Sequence, residues 1–197
     1  MKIVKKYEIS ISGMNPVIYN RMKKEIEDEK KKLKKNELQE WEEKNWIKKA
    51  DWNDDGELVL PKEWFKGMLL NACKQTRLVP HFATSKKSTF TSYIGGCLVD
   101  DSIFYRDGRA ATKDDLHAFG AYMPAQPGSA NRSKVWRVRP MLDEPWSAKI
   151  IFVDVYGRMK KSELEELVEY GGMYIGIGDS RKEGYGRFDV SSIEVIG

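Results

Sequence analysis

Residues 176–188 read GIGDSRKEGYGRF, and the rest of the chain can be placed relative to them. Four glycines, at 176, 178, 184 and 186, surround a charged centre of Asp179, Arg181, Lys182 and Glu183. Glycine takes positive φ without a steric cost, so this backbone can approach another backbone or a phosphate closely. Two interpretations follow: a loop that holds a polyanion, and a plain β-hairpin.

The neighbours of the glycines exclude two nucleotide-binding motifs. A Walker A loop needs Gly-Lys-Ser/Thr after its glycines, and none follows here. A Rossmann fingerprint lies between the first strand and its helix, whereas these glycines precede the last predicted strand. The loop is therefore not predicted to bind a mononucleotide or dinucleotide cofactor.

Hydrophobic periodicity predicts the elements on either side of the loop. Period-two alternation or unbroken β-formers predict strands, and apolar residues at i, i+3 and i+4 predict helices. Ser162 and Glu165 form a capping box for the last helix, and Gly171 and Gly172 end it. The predicted strands are 2–13, 57–60, several within 90–105, 134–139, 148–156, 173–177 and 187–196, and the helices are 61–78 and 163–170.

This order predicts an α+β fold with a ferredoxin-like or RRM-like βαββαβ core, in a single domain spanning residues 1–197. A long helical arm or two helices are inserted at about 17–50, and a long irregular loop occupies about 106–133. The arm carries a lysine run at 30–35. Those lysines either contact phosphates or form a solvated helix face with glutamate partners.

Composition favours a globular protein with a basic middle. The chain has 197 residues, 41% hydrophobic, and a net charge of +4. Residues 71–139 carry 11 Lys and Arg against 5 Asp and Glu, whereas residues 140–197 carry 7 against 11. The middle of the chain therefore suits a phosphate backbone, or equally a solvated face.

Neither a cofactor nor a metal is predicted. Cys73 and Cys97 lie in different elements without ligands at zinc spacing, and both are expected to be buried. The Asp-rich turn at 51–56 lacks the glutamate that ends a calcium loop. The sequence has no long apolar run and no signal-peptide pattern, so a cytoplasmic location is expected.

In its place before the last strand, the glycine loop resembles that of the RAMP superfamily, the RNA-binding proteins of CRISPR effector complexes. The resemblance covers mainly residues 134–197, with a weaker echo in 61–78. Small bacteriophage proteins show a similar combination. The matching positions are Gly176, Ile177, Gly178, Arg181, Gly184, Tyr185, Gly186, Arg187 and Phe188, supported by Arg139, Pro140 and Trp146.

The resemblance implies a ferredoxin-like fold and a single-stranded nucleic acid as ligand, RNA in preference to DNA. It also implies self-association along the strand, as in CRISPR backbone subunits, and we expect this chain to bind without catalysis. Phosphate contacts of this kind carry no base information. The candidate binding residues are Gly176, Gly178, Arg181, Lys182, Gly184, Gly186 and Arg187, then Lys86, Lys87, Arg132, Lys134 and Arg137.

Two other functions stay open. RAMP proteins include metal-independent endoribonucleases, and such cleavage needs a proton carrier, for which His81 and His117 are the histidines available. The glycine loop and the charged arm could instead contact another protein of a phage or a CRISPR system. The first alternative predicts RNA cleavage in EDTA, and the second predicts that nucleic-acid binding persists in Arg181→Ala with Arg187→Ala.

Overall fold

A computed structural model of the protein describes residues 4–76, 78, 80–82, 90–124 and 134–197. The strands in these residues are β1 (Lys5–Gly13), β2 (Val17–Ile18), β3 (Val59–Leu60), β4 (Leu98–Val99), β5 (Ser102–Arg106), β6 (Arg109–Ala110), β7 (Leu116–Pro124), β8 (Lys134–Leu142), β9 (Ser147–Asp154) and β10 (Phe188–Val195). The α-helices are α1 (Lys24–Lys31), α2 (Leu38–Asn45), α3 (Lys62–Thr76), α4 (Phe90–Gly96) and α5 (Lys161–Tyr170). Short 3₁₀ turns lie at Trp46–Lys49, Lys113–Asp115 and Arg181–Glu183, and a π turn lies at Gly171–Ile175.

The main sheet is antiparallel, with β10, β1, β9, β5 and β3 side by side and with β4 also paired to β9. Alternate residues of β1, namely Tyr7, Ile9 and Ile11, are buried together with the apolar faces of α3 and α5. The stacked rings of Phe65 in α3 and Phe188 in β10 join helix and sheet, with centroids 6.5 Å apart. The chain order β1, α3, β4 and β5, β9, α5, β10 confirms the predicted α+β ferredoxin-like core.

A second, three-stranded sheet lies beside this core, in the order β2, β8, β7. β7 and β8 pair along their whole length, from Leu116 opposite Leu142 to Pro124 opposite Lys134. β2 covers only the Met141–Leu142 end of the other β8 edge. The remainder of that edge faces the segment inserted after β2, and this contact builds the site described below.

The inserted segment at 17–50 contains two helices, the second of the two expected arrangements. It begins with β2 and continues as two short helices, α1 and α2, followed by the 3₁₀ turn. α2 lies against β8, because the buried Glu42 and Lys49 bind the β8 backbone at Val138. The predicted arm is therefore folded back onto the second sheet.

Three local predictions were wrong, each at glycines. Residues 90–96 form helix α4 rather than a strand, although Gly95 and Gly96 end it. The predicted irregular loop at 106–133 contains β6 and the nine-residue β7; residues 125–133 lie outside the described residues. The predicted strand 173–177 is mostly the π turn at 171–175, which lets Gly172 pack against Phe188, whose carbonyl oxygen would lie 2.3 Å from an added Cβ.

Gly67→Ala is expected to raise the free energy of unfolding by about 0.5–1 kcal/mol, because Gly67 lies inside α3 and alanine has the higher helix propensity. A Cβ added there would meet no atom within 4 Å. Chemical denaturation measures the change. Gly172→Ala is the opposing control and should destabilise, since its Cβ has no space.

Candidate functional site

The glycine loop is a crossing of two backbone segments rather than a hairpin. Gly176, Gly178, Gly184 and Gly186 all have positive φ, between 69° and 94°. The Ile177 amide donates to the Gly186 carbonyl at 2.9 Å. A Cβ added to Gly186 would lie 1.9 Å from the Ile177 carbonyl oxygen, so only glycine permits this approach.

The amides of the loop glycines are largely used inside the protein. Gly176 donates to the Gly171 carbonyl at 2.8 Å, Gly186 donates to Pro16 at 2.8 Å, and Gly184 donates to Arg181 at 3.1 Å. An amide that already donates is not free to bind a phosphate oxygen. The geometry therefore favours side chains, not glycine amides, as the phosphate donors of this loop.

The charged part of the loop is fixed to both neighbouring strands of the second sheet. The Asp179 amide donates to the Ile18 carbonyl of β2 at 2.9 Å. Arg139 of β8 donates from Nη1 to Asp179 Oδ2 at 2.7 Å and to Ser180 Oγ at 2.9 Å. The 3₁₀ turn Arg181–Glu183 follows at once, so its side chains are held beside β8.

A cleft of about 500 Å³ lies between this turn, β8 and the inserted helices. Six cations line it, together with Asp179, Glu183 and a few neutral residues. Behind its wall lies one further carboxylate, Glu42, so six cations face three carboxylates. The cations are Lys30, Lys49, Arg137, Arg139, Arg181 and Lys182.

Glu42 connects three of those cations. Its Oε1 accepts from Lys30 and, at 3.0 Å, from Arg137, and its Oε2 accepts from Lys49 and, at 3.0 Å, from the Val138 amide. Lys49 also donates to the Val138 carbonyl at 2.6 Å. This carboxylate and lysine therefore satisfy the backbone of the β8 edge that β2 leaves uncovered.

The charge states of this pair follow from their surroundings. Burial opposes the charge of Glu42, but hydrogen bonds from Lys30, Lys49 and Val138 outweigh it and lower its pKa to about 2. Burial lowers the pKa of Lys49 to about 8, against the effect of Glu42. Both groups are charged at neutral pH, and the wall keeps an excess of positive charge.

The structure brings several predicted binding residues together. Gly178, Arg181, Lys182 and Arg137 all line the cleft. Arg187 does not line it; its Nη2 donates to the Arg181 carbonyl at 3.3 Å, and its Nη1 is buried. Burial and the nearby Arg181 lower the pKa of Arg187.

The other predicted cations are either absent from the cleft lining or outside the described residues. Lys134 is exposed at the start of β8, on the strand face opposite Arg137 and Arg139 by the alternation of side chains. Lys86, Lys87 and Arg132 lie outside the described residues. The role of these four residues stays a prediction.

Each of the two histidines lies beside a carboxylate, away from the cleft lining. His81 Nδ1 lies 2.9 Å from Glu163 Oε1, in the first turn of α5. His117 is on β7, and its Nδ1 lies 3.2 Å from Asp143 Oδ2. The structure therefore does not bring the two histidines to the basic cleft.

Sequence reasoning missed Lys49 and Arg139 as cleft residues and left Lys30 undecided. Lys31, Lys32, Lys34 and Lys35 are exposed, as a solvated helix face requires. Lys30 is only 10% exposed, and its Nζ lies 4.5 Å from the Trp41 ring centroid. The one local hint of this burial was that Glu42 directly follows Trp41 in α2.

Two further features of the described residues bear on chemistry. Cys73 and Cys97 are buried, as expected, and burial raises the pKa of each thiol to about 12. Within the described ranges, no cluster of metal-ligating side chains occurs. No helix in that part of the chain is long and apolar enough to cross a membrane.

No family model matches the sequence, and no curated protein matches it. A search of solved structures finds similarity to a chain in a cryo-EM structure of "the Type III-B Cmr-beta bound to cognate target RNA". The TM-score is 0.53 at 9% identity, over 98% of this chain and 61% of that chain. At this identity the likeness concerns the fold alone, and it is compatible with the α+β ferredoxin-like core.

Proposed function

We propose that this protein binds single-stranded nucleic acid, RNA in preference to DNA, through the backbone phosphates. The basic cleft between the glycine loop, β8 and the inserted helices is the observation that carries the proposal. Arg181 and Lys182 line it, and in the described residues neither forms a salt bridge with a carboxylate. Cations without partners on a concave surface attract a polyanion, and the attraction falls as salt rises.

The cleft is a better candidate than the open face of the main sheet. RRM domains stack bases on aromatic side chains of their central strands. Here the positions of β1 and β9 that alternate with the buried residues include Glu8, Ser10 and Lys149. These side chains offer no stacking surface, so the RRM mode is not favoured.

The fold similarity supports RNA as the ligand class, because the similar chain belongs to a structure bound to target RNA. The resemblance to RAMP proteins also supports RNA as the ligand. On the same resemblance we propose that the protein self-associates along the strand. Electron microscopy with and without single-stranded RNA tests that part. Monomers at saturating RNA would contradict self-association while leaving the binding proposal intact.

A salt titration tests the binding itself. Fluorescence anisotropy with a labelled oligouridylate of about nine nucleotides suits a cleft of this kind. With about four phosphates contacted, affinity should fall about fiftyfold between 50 and 200 mM NaCl. Weak binding that does not change with salt would contradict the proposal and favour a protein-interaction role.

Arg181→Ala with Lys182→Ala should reduce affinity about thirtyfold and roughly halve the salt dependence, because two of about four phosphate contacts are lost. Both side chains are on the surface of the loop, so the fold should persist. Lys149→Ala with Lys161→Ala removes the same charge on β9 and α5 and is the matched control. Equal losses in the two double variants would indicate a general charge effect, not a cleft.

We also propose that the cleft binds RNA without cleaving it. The support is that neither His81 nor His117 lies in the cleft lining. Incubation of labelled RNA in EDTA tests this. Cleavage that disappears in His81→Ala or His117→Ala would replace the proposal with the endoribonuclease alternative.

A further inference from the structure

A smaller pocket of about 250 Å³ adjoins the basic cleft across the glycine loop. The two cavities share Asn20, Gly178, Asp179 and Arg181. The smaller one adds Glu63, Trp64 and Gly67, all on the first turns of α3. A strand that follows the cleft thus meets a second cavity of different chemistry just beyond Arg181.

Trp64 gives this pocket an aromatic wall. Its ring packs on the fully buried Tyr19, with centroids 4.7 Å apart, and also lines the pocket. Gly67, one helical turn further along α3, leaves open space where a side chain would stand. An aromatic wall beside an empty glycine position has room for a planar ring.

The pocket also contains a carboxylate and a side-chain amide, from Glu63 and Asn20. Glu63 is 58% exposed, and its Oε2 accepts from Arg21 Nη1 at 3.4 Å. Asn20 is exposed beside it and carries an amide that donates and accepts. A carboxylate accepts two parallel hydrogen bonds, so it selects a partner with two adjacent donors.

We propose that this pocket receives one guanine base of the bound strand. Guanine presents two adjacent donors, N1–H and the N2 amino group, to the Glu63 carboxylate, and its O6 accepts from Asn20. Adenine and cytosine offer one amino group next to an acceptor, and uracil offers one donor between two acceptors. The guanine ring stacks on Trp64 while its phosphate lies near Arg181.

This inference rests on the proposed function, because the base reaches the pocket only as part of a strand held in the cleft. It changes one expectation: binding would be independent of sequence except at one position. Oligouridylates with a single central guanine, adenine, cytosine or inosine test it by anisotropy. Inosine lacks only the N2 amino group, so it isolates one hydrogen bond.

Guanine is expected to bind about tenfold tighter than adenine, with inosine between them. Glu63→Gln should abolish the preference for guanine, since an amide oxygen cannot accept both donors while its own nitrogen faces them. Affinity for the oligouridylate without guanine should not fall, because a negative charge near the strand is removed. A merely structural role of Glu63 would leave the ratio of guanine to adenine unchanged.

Gly67→Leu fills the pocket from a helix position where the new Cβ is free of contacts, and it should remove the preference without unfolding the protein. Gly95→Leu is the matched control on α4, where a Cβ also meets no atom within 4 Å. Retained guanine preference in Glu63→Gln or Gly67→Leu would overturn the pocket assignment.

The outcomes separate the two proposals. Salt-dependent binding of every oligonucleotide with no preference for guanine overturns the base pocket and leaves the cleft proposal standing. Failure to bind any oligonucleotide overturns both. Guanine preference that is lost in both pocket variants and kept in Gly95→Leu supports both.

Discussion

Replacing Glu42 by glutamine should lower the free energy of unfolding by about 3 kcal/mol at neutral pH, because it breaks a buried ionic network on one side only. The Glu42 side chain is 1% exposed, and Lys49 beside it is equally buried. Without the carboxylate, Lys49 and Lys30 lose their ionic partner in a poorly solvated wall. The Val138 amide also loses its ionic acceptor.

The loss should depend on pH in a defined direction. The folded pKa of Glu42, about 2, lies below its usual 4.5, so its contribution is complete above about 4.5 and disappears as pH falls toward 2. The difference between wild type and variant should shrink over that window. Chemical denaturation at several pH values measures it, and a difference that stays constant from pH 5 to pH 2 would contradict the assignment.

Glu40→Gln is the matched control on the same helix. Glu40 forms an exposed i,i+4 pair with Lys44, and such solvent-exposed pairs contribute little to stability. Replacing Glu42 and Lys49 together by leucine and methionine is a second comparison, because removing a buried pair entirely is often close to neutral. The single variant should therefore be much less stable than the double one.

The core elements were predictable because their patterns are local. β1 alternates apolar and polar residues, β9 is an unbroken run of β-formers, and the burial of α3 follows its i, i+3 and i+4 spacing. Their order in the chain was enough to predict the ferredoxin-like topology. Helix ends were less accurate: α5 begins at Lys161, where Glu163 rather than Glu165 accepts from the Lys160 amide.

The errors arose where tertiary contacts determine what a glycine does. Gly171 and Gly172 follow the end of α5, but they lie in the π turn and do not lead directly into the predicted strand 173–177. They are small because Met68 and Phe188 occupy the space of their side chains. A sequence pattern shows that a position tolerates glycine, but not which neighbour requires it.

The candidate site was half predictable for a similar reason. Arg181 and Lys182 stand out because they lie between glycines. Lys30 and Lys49 join the site only through Glu42 and β8, which are up to 96 positions apart along the chain. No local pattern joins residues at that separation, so the inserted segment looked like a solvated arm.

Gly186→Ala should destabilise the protein by about 4 kcal/mol or more, the second large effect. An alanine at φ +69° costs about 1–2 kcal/mol of backbone strain. Its Cβ would also lie 1.9 Å from the Ile177 carbonyl oxygen, which is backbone and cannot rotate away. The crossing must open, and the hydrogen bonds of Gly186 with Pro16 and Ile177 are lost with it.

Comparison with Gly184→Ala distinguishes backbone strain from steric collision. It also distinguishes a structural role of the loop glycines from direct binding of the ligand by their amides. Gly184 has φ +94°, but a Cβ there would meet no atom within 4 Å, so only about 1–2 kcal/mol of strain is expected. Both variants keep every backbone amide, so they change only the backbone conformation. If glycine amides held the phosphates directly, a backbone change at either position would weaken RNA binding to a similar extent. If the glycines shape the crossing that carries Arg181 and Lys182, Gly184→Ala should bind as wild type does, and Gly186→Ala should lose stability and affinity together.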